Sequence, residues 1–122
     1  MPETKIITRS VIENYLNSKF QLTTEDNKIY TCPSSVKASI IILCHVANID
    51  PEGDTDSAVT ISWSDYSDDD FKTYLIYNGN VPARSGLNVL QGKLFLEPLD
   101  AIWAKSSLLE RLHLTLSILE IY

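Results

Sequence analysis

Glycine is scarce in this chain, with four in 122 residues. None falls in a G-x-G-x-x-G, a G-x-S-x-G or a phosphate-binding loop, which removes the dinucleotide, α/β-hydrolase and nucleotide-triphosphatase signatures. Cysteine is scarcer: Cys32 and Cys44 are too few for a secreted disulfide framework and show no metal-ligand spacing. Both read as small buried hydrophobes, and the sequence leaves open whether they pair. Basic residues are also in deficit, ten against sixteen acidic ones, for a formal net charge of −6. Nucleic-acid binding needs a basic face to displace counterions, so the balance argues against it. Long apolar runs are missing too. The longest, Ile40 to Cys44, is far too short to span a bilayer. The first ten residues carry Glu3, Lys5 and Arg9 and no signal-peptide core. The expectation is a protein soluble where it is made, with no membrane or nucleic-acid partner.

What the chain does have is alternation. A strand's side chains change face at every step. Leu112, Leu114, Leu116 and Ile118 therefore share one face, and His113, Thr115, Ser117 and Leu119 the other. Glu120, Ile121 and Tyr122 follow, and this end is expected to be tied into a sheet. Val59, Ile61 and Trp63 alternate with Thr60, Ser62 and Ser64, predicting a half-buried strand. Residues 36–49 are rich in β-branched side chains, which favours a strand over a helix. At Ile40 to Leu43 both faces are apolar, predicting a central strand covered on both sides, with a neighbouring subunit as one candidate cover.

Shorter strands are predicted at 19–22, 28–31, 71–77, 87–90, 93–97 and 101–105. Residues 5–9 lean to β, and 11–16 read as either a helical turn or a strand. Asn78-Gly79-Asn80 predicts a tight turn, because these residues tolerate positive φ. Turn signals recur every 8–12 residues or so, the spacing of sandwiches and barrels. The length suits one domain, able to bury about two-thirds of its unfolded surface without a metal or disulfide. The predicted fold is an all-β antiparallel sandwich, jelly-roll-like or immunoglobulin-like, spanning 1–122 with a short N-terminal arm at 1–16.

No set of residues marks a reaction. The acidic loop 50–56 alternates oxygen ligands, but its glycine falls too early for an EF-hand and Ile61 stands at the closing position. It reads as a solvated turn, as does the acidic loop 65–70; clustered at one end of a sandwich, the two could hold a weak cation. No two carboxylates stand out as a glycosidase pair. Cys44 and His45 are adjacent on a strand and so point to opposite faces, and His113 lies on an outward face. Neither offers Cys44 or Ser117 a base. No catalytic, cofactor-binding or metal-binding residue is assigned. Among the aromatics, Trp63 shares its face with Val59 and Ile61 and reads as core. Trp103 reads as an interface or solvent residue, and with Tyr66, Tyr74 and Tyr77 is the candidate for sugar stacking.

Several segments carry a family resemblance. Ile29-Tyr30-Thr31-Cys32-Pro33 leads into a long apolar strand ending in Val46-Ala47-Asn48-Ile49-Asp50. Then come Val59-Thr60-Ile61-Ser62-Trp63-Ser64-Asp65, the stretch from Tyr74 to Ala83, the stretch from Leu90 to Ser107, and Leu112 to Ile121. This order resembles the small β-sandwich virion proteins of tailed bacteriophages, particularly marine and cyanobacterial ones, over about three-quarters of the chain. One departure is local: where that family has a glycine in the turn before the last-but-one strand, this chain has Pro98-Leu99. The resemblance implies a non-enzymatic virion component, a capsid decoration or neck or tail accessory subunit, assembled in the host cytoplasm in several copies. Its expected partners are itself and other virion proteins, met through apolar strand faces and the N-terminal arm. The alternative from another class is a carbohydrate-binding module used in host recognition.

Overall fold

The computed structural model describes residues 13–122. Nine strands run in order: β1 Glu13–Gln21, β2 Asn27–Thr31, β3 Ala38–Asn48, β4 Ser57–Asp65, β5 Phe71–Val81, β6 Gly86–Asn88, β7 Leu94–Leu96, β8 Ala101–Ser106 and β9 Leu112–Ile121. A 3-10 turn, Tyr66–Asp68, follows β4. One sheet has the order β1-β9-β3-β6, with β7 also paired to β3; the other has the order β2-β8-β4-β5. All pairs are antiparallel. With β6 and β7 sharing one position, the pairs nest first with last, second with next-to-last, and so inward. That is a jelly roll, one of the two sandwich forms expected.

The core lies between the sheets. Leu112, Leu114, Leu116 and Ile118 of β9 all point inward and are fully buried. They meet Ile41, Cys44 and Val46 of β3 and, from the other sheet, Val59, Ile61, Ile102 and Ala104. Trp63 packs against the same cluster, as read from its face. Of the stretch 11–16, read as either a helical turn or a strand, the described residues 13–16 are strand: assigned above to an arm, they are the first part of β1, pair with Ile118–Ile121 and run on into the strand predicted from residue 19. The rest of that arm, and the β-leaning stretch 5–9, lie outside the described residues.

Two expectations are corrected. Asn78-Gly79-Asn80 is not a turn; β5 runs through it to Val81. Asn78 instead takes φ +50° inside a strand whose register with β4 slips between Val59 and Ile61 and again between Ile61 and Ser62. A Cβ on Gly79 would fall 2.1 Å from Ile76 Cδ1, so the Ile76 side chain lies over the bare glycine backbone and would have to shift to admit a larger residue. Strand β4, read as half-buried, is covered on both faces: Thr60, Ser62 and Ser64 are buried as well as Val59 and Ile61. Strand β3 is central in its sheet, as expected, and within this chain its outer side is open, with Ile42 40% and Leu43 38% exposed, which leaves that side to the neighbouring subunit named as a candidate cover. A register slip between Ile41 and Leu43 sets both of these side chains outward. It turns Ile41 and then Cys44 to the core and leaves Ile42 as the extra residue.

The glycine-to-Pro98-Leu99 departure is resolved by backbone geometry. Asp100 N–H donates to the Glu97 carbonyl at 3.0 Å, Pro98 takes the second position and Leu99 has φ +73°. This is type II geometry, with leucine where glycine is preferred. The left-handed conformation costs a non-glycine residue about 1–2 kcal/mol. Replacing Leu99 with glycine is expected to stabilise the fold by a few tenths to ~1 kcal/mol, the strain relief exceeding glycine's added chain entropy. The midpoint of urea unfolding checks this; a midpoint lowered relative to the parent would contradict it.

Candidate interaction surface

The residues weighed for chemistry fall apart in space. Cys44 faces the core, where burial pushes its thiol up to about 12, while His45 lies on the outer face of the larger sheet. His113 is exposed and stands in register with Ala47 and Gln21. The loops 50–56 and 65–70 sit at opposite ends of β4, roughly 30 Å apart for a nine-residue strand. They cannot share a cation. A different acidic group does converge: Asp65, Glu97 and Asp100 place carboxylate oxygens within 4.8 Å of one another. Its oxygens already brace turns. Asp100 accepts from Tyr66 N–H and Glu97 N–H, both at 2.9 Å, and Asp65 Oδ1 accepts from Ser67 N–H and Oγ–H.

Two polar clusters lock the ends of the sandwich. Counting inward by twos along β9 from Leu112 arrives at Glu120, a carboxylate only 5% exposed. It accepts from the Tyr30 hydroxyl at 2.6 Å; Ser39 Oγ lies 2.8 Å from the same hydroxyl and 3.1 Å from Cys32 Sγ. Tyr30 comes from the smaller sheet and Glu120 and Ser39 from the larger, so this cluster ties the layers together. Burial first, and then the adjacent Glu120, hold the Tyr30 hydroxyl well above its usual range. At another loop Asp50 accepts from Glu52 N–H and Thr55 N–H, with Arg111 Nε 3.8 Å away. The Glu52 amide, aided by Thr55 and Arg111, holds the Asp50 carboxyl below its usual value, and Asn80 and Ala83 do the same for Asp56.

The aromatic surface is divided. Trp103 lies on the outer face of the smaller sheet in a row with Lys28, Ser62 and Tyr74. Its Nε1 donates to Ser64 Oγ at 3.0 Å, and Lys72 Nζ stands 3.7 Å from the ring centroid, with Lys28 Nζ at 5.3 Å. Lys72 is itself held by Asp26 at 2.9 Å. The ring face a sugar would stack on is therefore taken by an anchored ammonium group. Tyr74 and Tyr77 meet edge to face, centroids 5.0 Å apart, on edge strand β5, and Tyr77 is 67% exposed.

The outer face of the larger sheet is different. Phe95 of β7, Ile40 of β3 and Leu119 of β9 stand in register across three strands. Phe95 is 60% exposed, and Ile42 and Leu43 extend the apolar surface along β3. No described element of this chain covers it. The two-sided apolarity of Ile40 to Leu43 was the signal in the sequence; Phe95 was missed, because β7 is too short for alternation to show which way it points.

No protein-family model matches the sequence, and no curated protein matches it. Among solved structures, the fold is similar to a chain from the work "Bacillus endospore appendages form a novel family of disulfide-linked pili". The TM-score is 0.53 at 10% identity, over 90% of this chain and 87% of that one. That likeness bears on the fold.

Two predictions follow from the polar clusters. Tyr30→Phe is expected to cost ~1–3 kcal/mol, because it leaves a buried carboxylate without its short donor; an unchanged denaturation midpoint would contradict it. Asp50 and Asp56 have depressed folded-state values, so their contribution is present above the ordinary carboxylate pKa of about 3.9 and is lost as pH falls through the folded values. The Asp50→Asn, Asp56→Asn double variant is expected to be less stable at pH 7 and to have a flatter stability profile below about pH 4. Thermal melts across that range check both parts.

Proposed function

We propose that this chain is a non-enzymatic structural subunit of a multi-copy particle, a virion component of the tailed-phage type such as a capsid decoration or a neck or tail accessory protein. The observation that carries the reading is the in-register apolar row Phe95, Ile40 and Leu119 on the open face of the larger sheet. A sheet face of this kind is stabilised by a partner and is an aggregation hazard without one. The phage-like order of segments from Ile29 onward supports the particle type. The pilus work supports the principle: a sandwich of similar fold serves there in a polymer.

The linkage differs. That polymer is described as disulfide-linked, whereas both cysteines of this chain are free and buried, Cys32 fully and Cys44 at 2% exposure. Assembly here is non-covalent. The sugar-binding alternative has weaker support, since Trp103 is covered by Lys72.

Phe95 is the point of test. Phe95→Glu is expected to leave the fold intact, because the side chain is mostly in water, and to weaken self-association at least tenfold. Light scattering against concentration, with a thermal melt as the folding control, reads the outcome. A parent protein that stays monomeric at all concentrations and fails to bind particles stripped of it would end the structural reading.

A further inference from the structure

We propose that the polar pocket around Lys105, on the outer face of the smaller sheet, is a binding site for a tetrahedral oxyanion group, a sulfate or phosphate. The inference stands apart from the structural-subunit reading and draws on the other sheet.

The pocket has a volume of about 180 Å³ and is lined by Thr24, Thr60, Asn78, Lys105, Ser106 and Ser107. Four segments bring these residues together. Thr60 of β4 stands opposite Lys105 of β8. On the other side of β4, Val59 pairs with Gly79 and Ile61 with Ile76, so Tyr77 and Asn78 together face Thr60. This is the bulge in which Asn78 takes φ +50°, and a bulge re-aims the side chains it carries. Ser106 N–H donates to the Thr23 carbonyl at 2.8 Å, which anchors Thr24 beside the end of β8.

The lining sets the charge of the ligand. Acids outnumber bases sixteen to ten in this chain, yet the pocket is lined by no carboxylate and by one ammonium group. Lys105 has no acid partner among the described residues, unlike Lys72 on the same face, which Asp26 holds at 2.9 Å. An exposed ammonium group ringed by neutral donors attracts an anion and gives a cation nothing to bind.

The donors set its shape. Thr60 is only 4% exposed, and its Oγ1 accepts from Asn78 N–H at 3.0 Å. It donates to no described residue, so a buried hydroxyl proton is left for a ligand. The side-chain amide of Asn78 and the hydroxyl of Thr24 have no described partner either. Ser106 is the exception, directing its proton to the Leu108 carbonyl at 2.7 Å. Donors arriving from β4, β5, β8 and the loop before β2 converge from several directions. A sulfate or phosphate group offers three or more acceptor oxygens to meet them, a carboxylate only two. At about 30 Å³ per water, the volume holds one such group with a few waters.

Equilibrium dialysis of radiolabelled sulfate against the full chain, at constant ionic strength with chloride as the balancing ion, tests this. One saturable site per chain is expected. Lys105→Gln is expected to weaken it at least tenfold. Asn78→Gly removes the amide at a backbone position that glycine accepts, and is expected to weaken it about threefold. Lys93→Gln removes the same charge outside the pocket and is expected to stay within about twofold of the parent. Thermal melts confirm that the variants fold. Dextran sulfate as competitor identifies the source of the group. Displacement at a sulfate-group concentration about tenfold or more below that of free sulfate assigns it to a sulfated polymer; equal or lower potency assigns it to the free ion. No saturable sulfate binding by the parent, or Lys105→Gln binding as tightly as Lys93→Gln, overturns the proposal. Loss of self-association in Lys105→Gln, with no sulfate bound by the parent, overturns it in favour of a neighbouring chain in the pocket. None of these outcomes bears on Phe95→Glu, which tests the structural-subunit reading by itself.

Discussion

Everything in this molecule hangs on the pairing of β9. It is hydrogen-bonded to β1 on one side and β3 on the other along nearly its whole length. Its inward residues supply four of the fully buried side chains of the core. A strand held on both edges and buried on one face has one register that satisfies all three demands, since a one-residue slip would turn every leucine to solvent. The same register sets Glu120 opposite Ser39 and within reach of Tyr30. The apolar row on the opposite face is its other product: with Ile118 inward, Leu119 must stand outward beside Ile40 and Phe95.

The two sheets solve the problem of their outer faces in different ways. The smaller sheet covers itself. Trp103 lies across Ser64, and lysines from β2 and β5 close over the ring, so small polar side chains on β4 are buried beneath an amphipathic lid. The larger sheet has no such lid among the described residues. Its bulge at Ile42 adds apolar surface where a self-contained domain would carry charge. This asymmetry makes the larger sheet the side on which a partner is expected.

Period-two patterning made the fold legible where strands are long and one face is uniformly apolar, as in β9, and in the face of Trp63. It failed where a strand bulges. Val36, Ala38, Ile40, Ile42, Cys44 and Val46 look like one continuous face, yet one extra residue at Ile42 reverses the phase midway. Asn78-Gly79-Asn80 carries turn chemistry, but positive φ serves a bulge as well as a turn, and only the pairing partner distinguishes them. Burial of Ser62 and Ser64 was hidden because it depends on a tryptophan some forty residues away, which stands opposite Ser62 and donates to Ser64. Glu120 was within reach: the count by twos that places Ile118 in the core places the next acid there too. The convergence of Asp65, Glu97 and Asp100 had no local signal, since it follows from the approach of two turns distant in sequence.

The nested pairing has a consequence for how such a chain comes to be folded. Strand β1 pairs with β9 and strand β2 with β8, so the first strands described have no partners in their sheets until the last have been synthesised. Contacts this distant in sequence close large loops before they are rewarded, which places the domain among slow folders. During elongation the early strands, with Leu16, Phe20 and Ile29, wait as exposed apolar segments. A nascent chain of this topology therefore depends on its surroundings to keep it from pairing with the wrong neighbour, and completion of β9 is the step that ends that exposure.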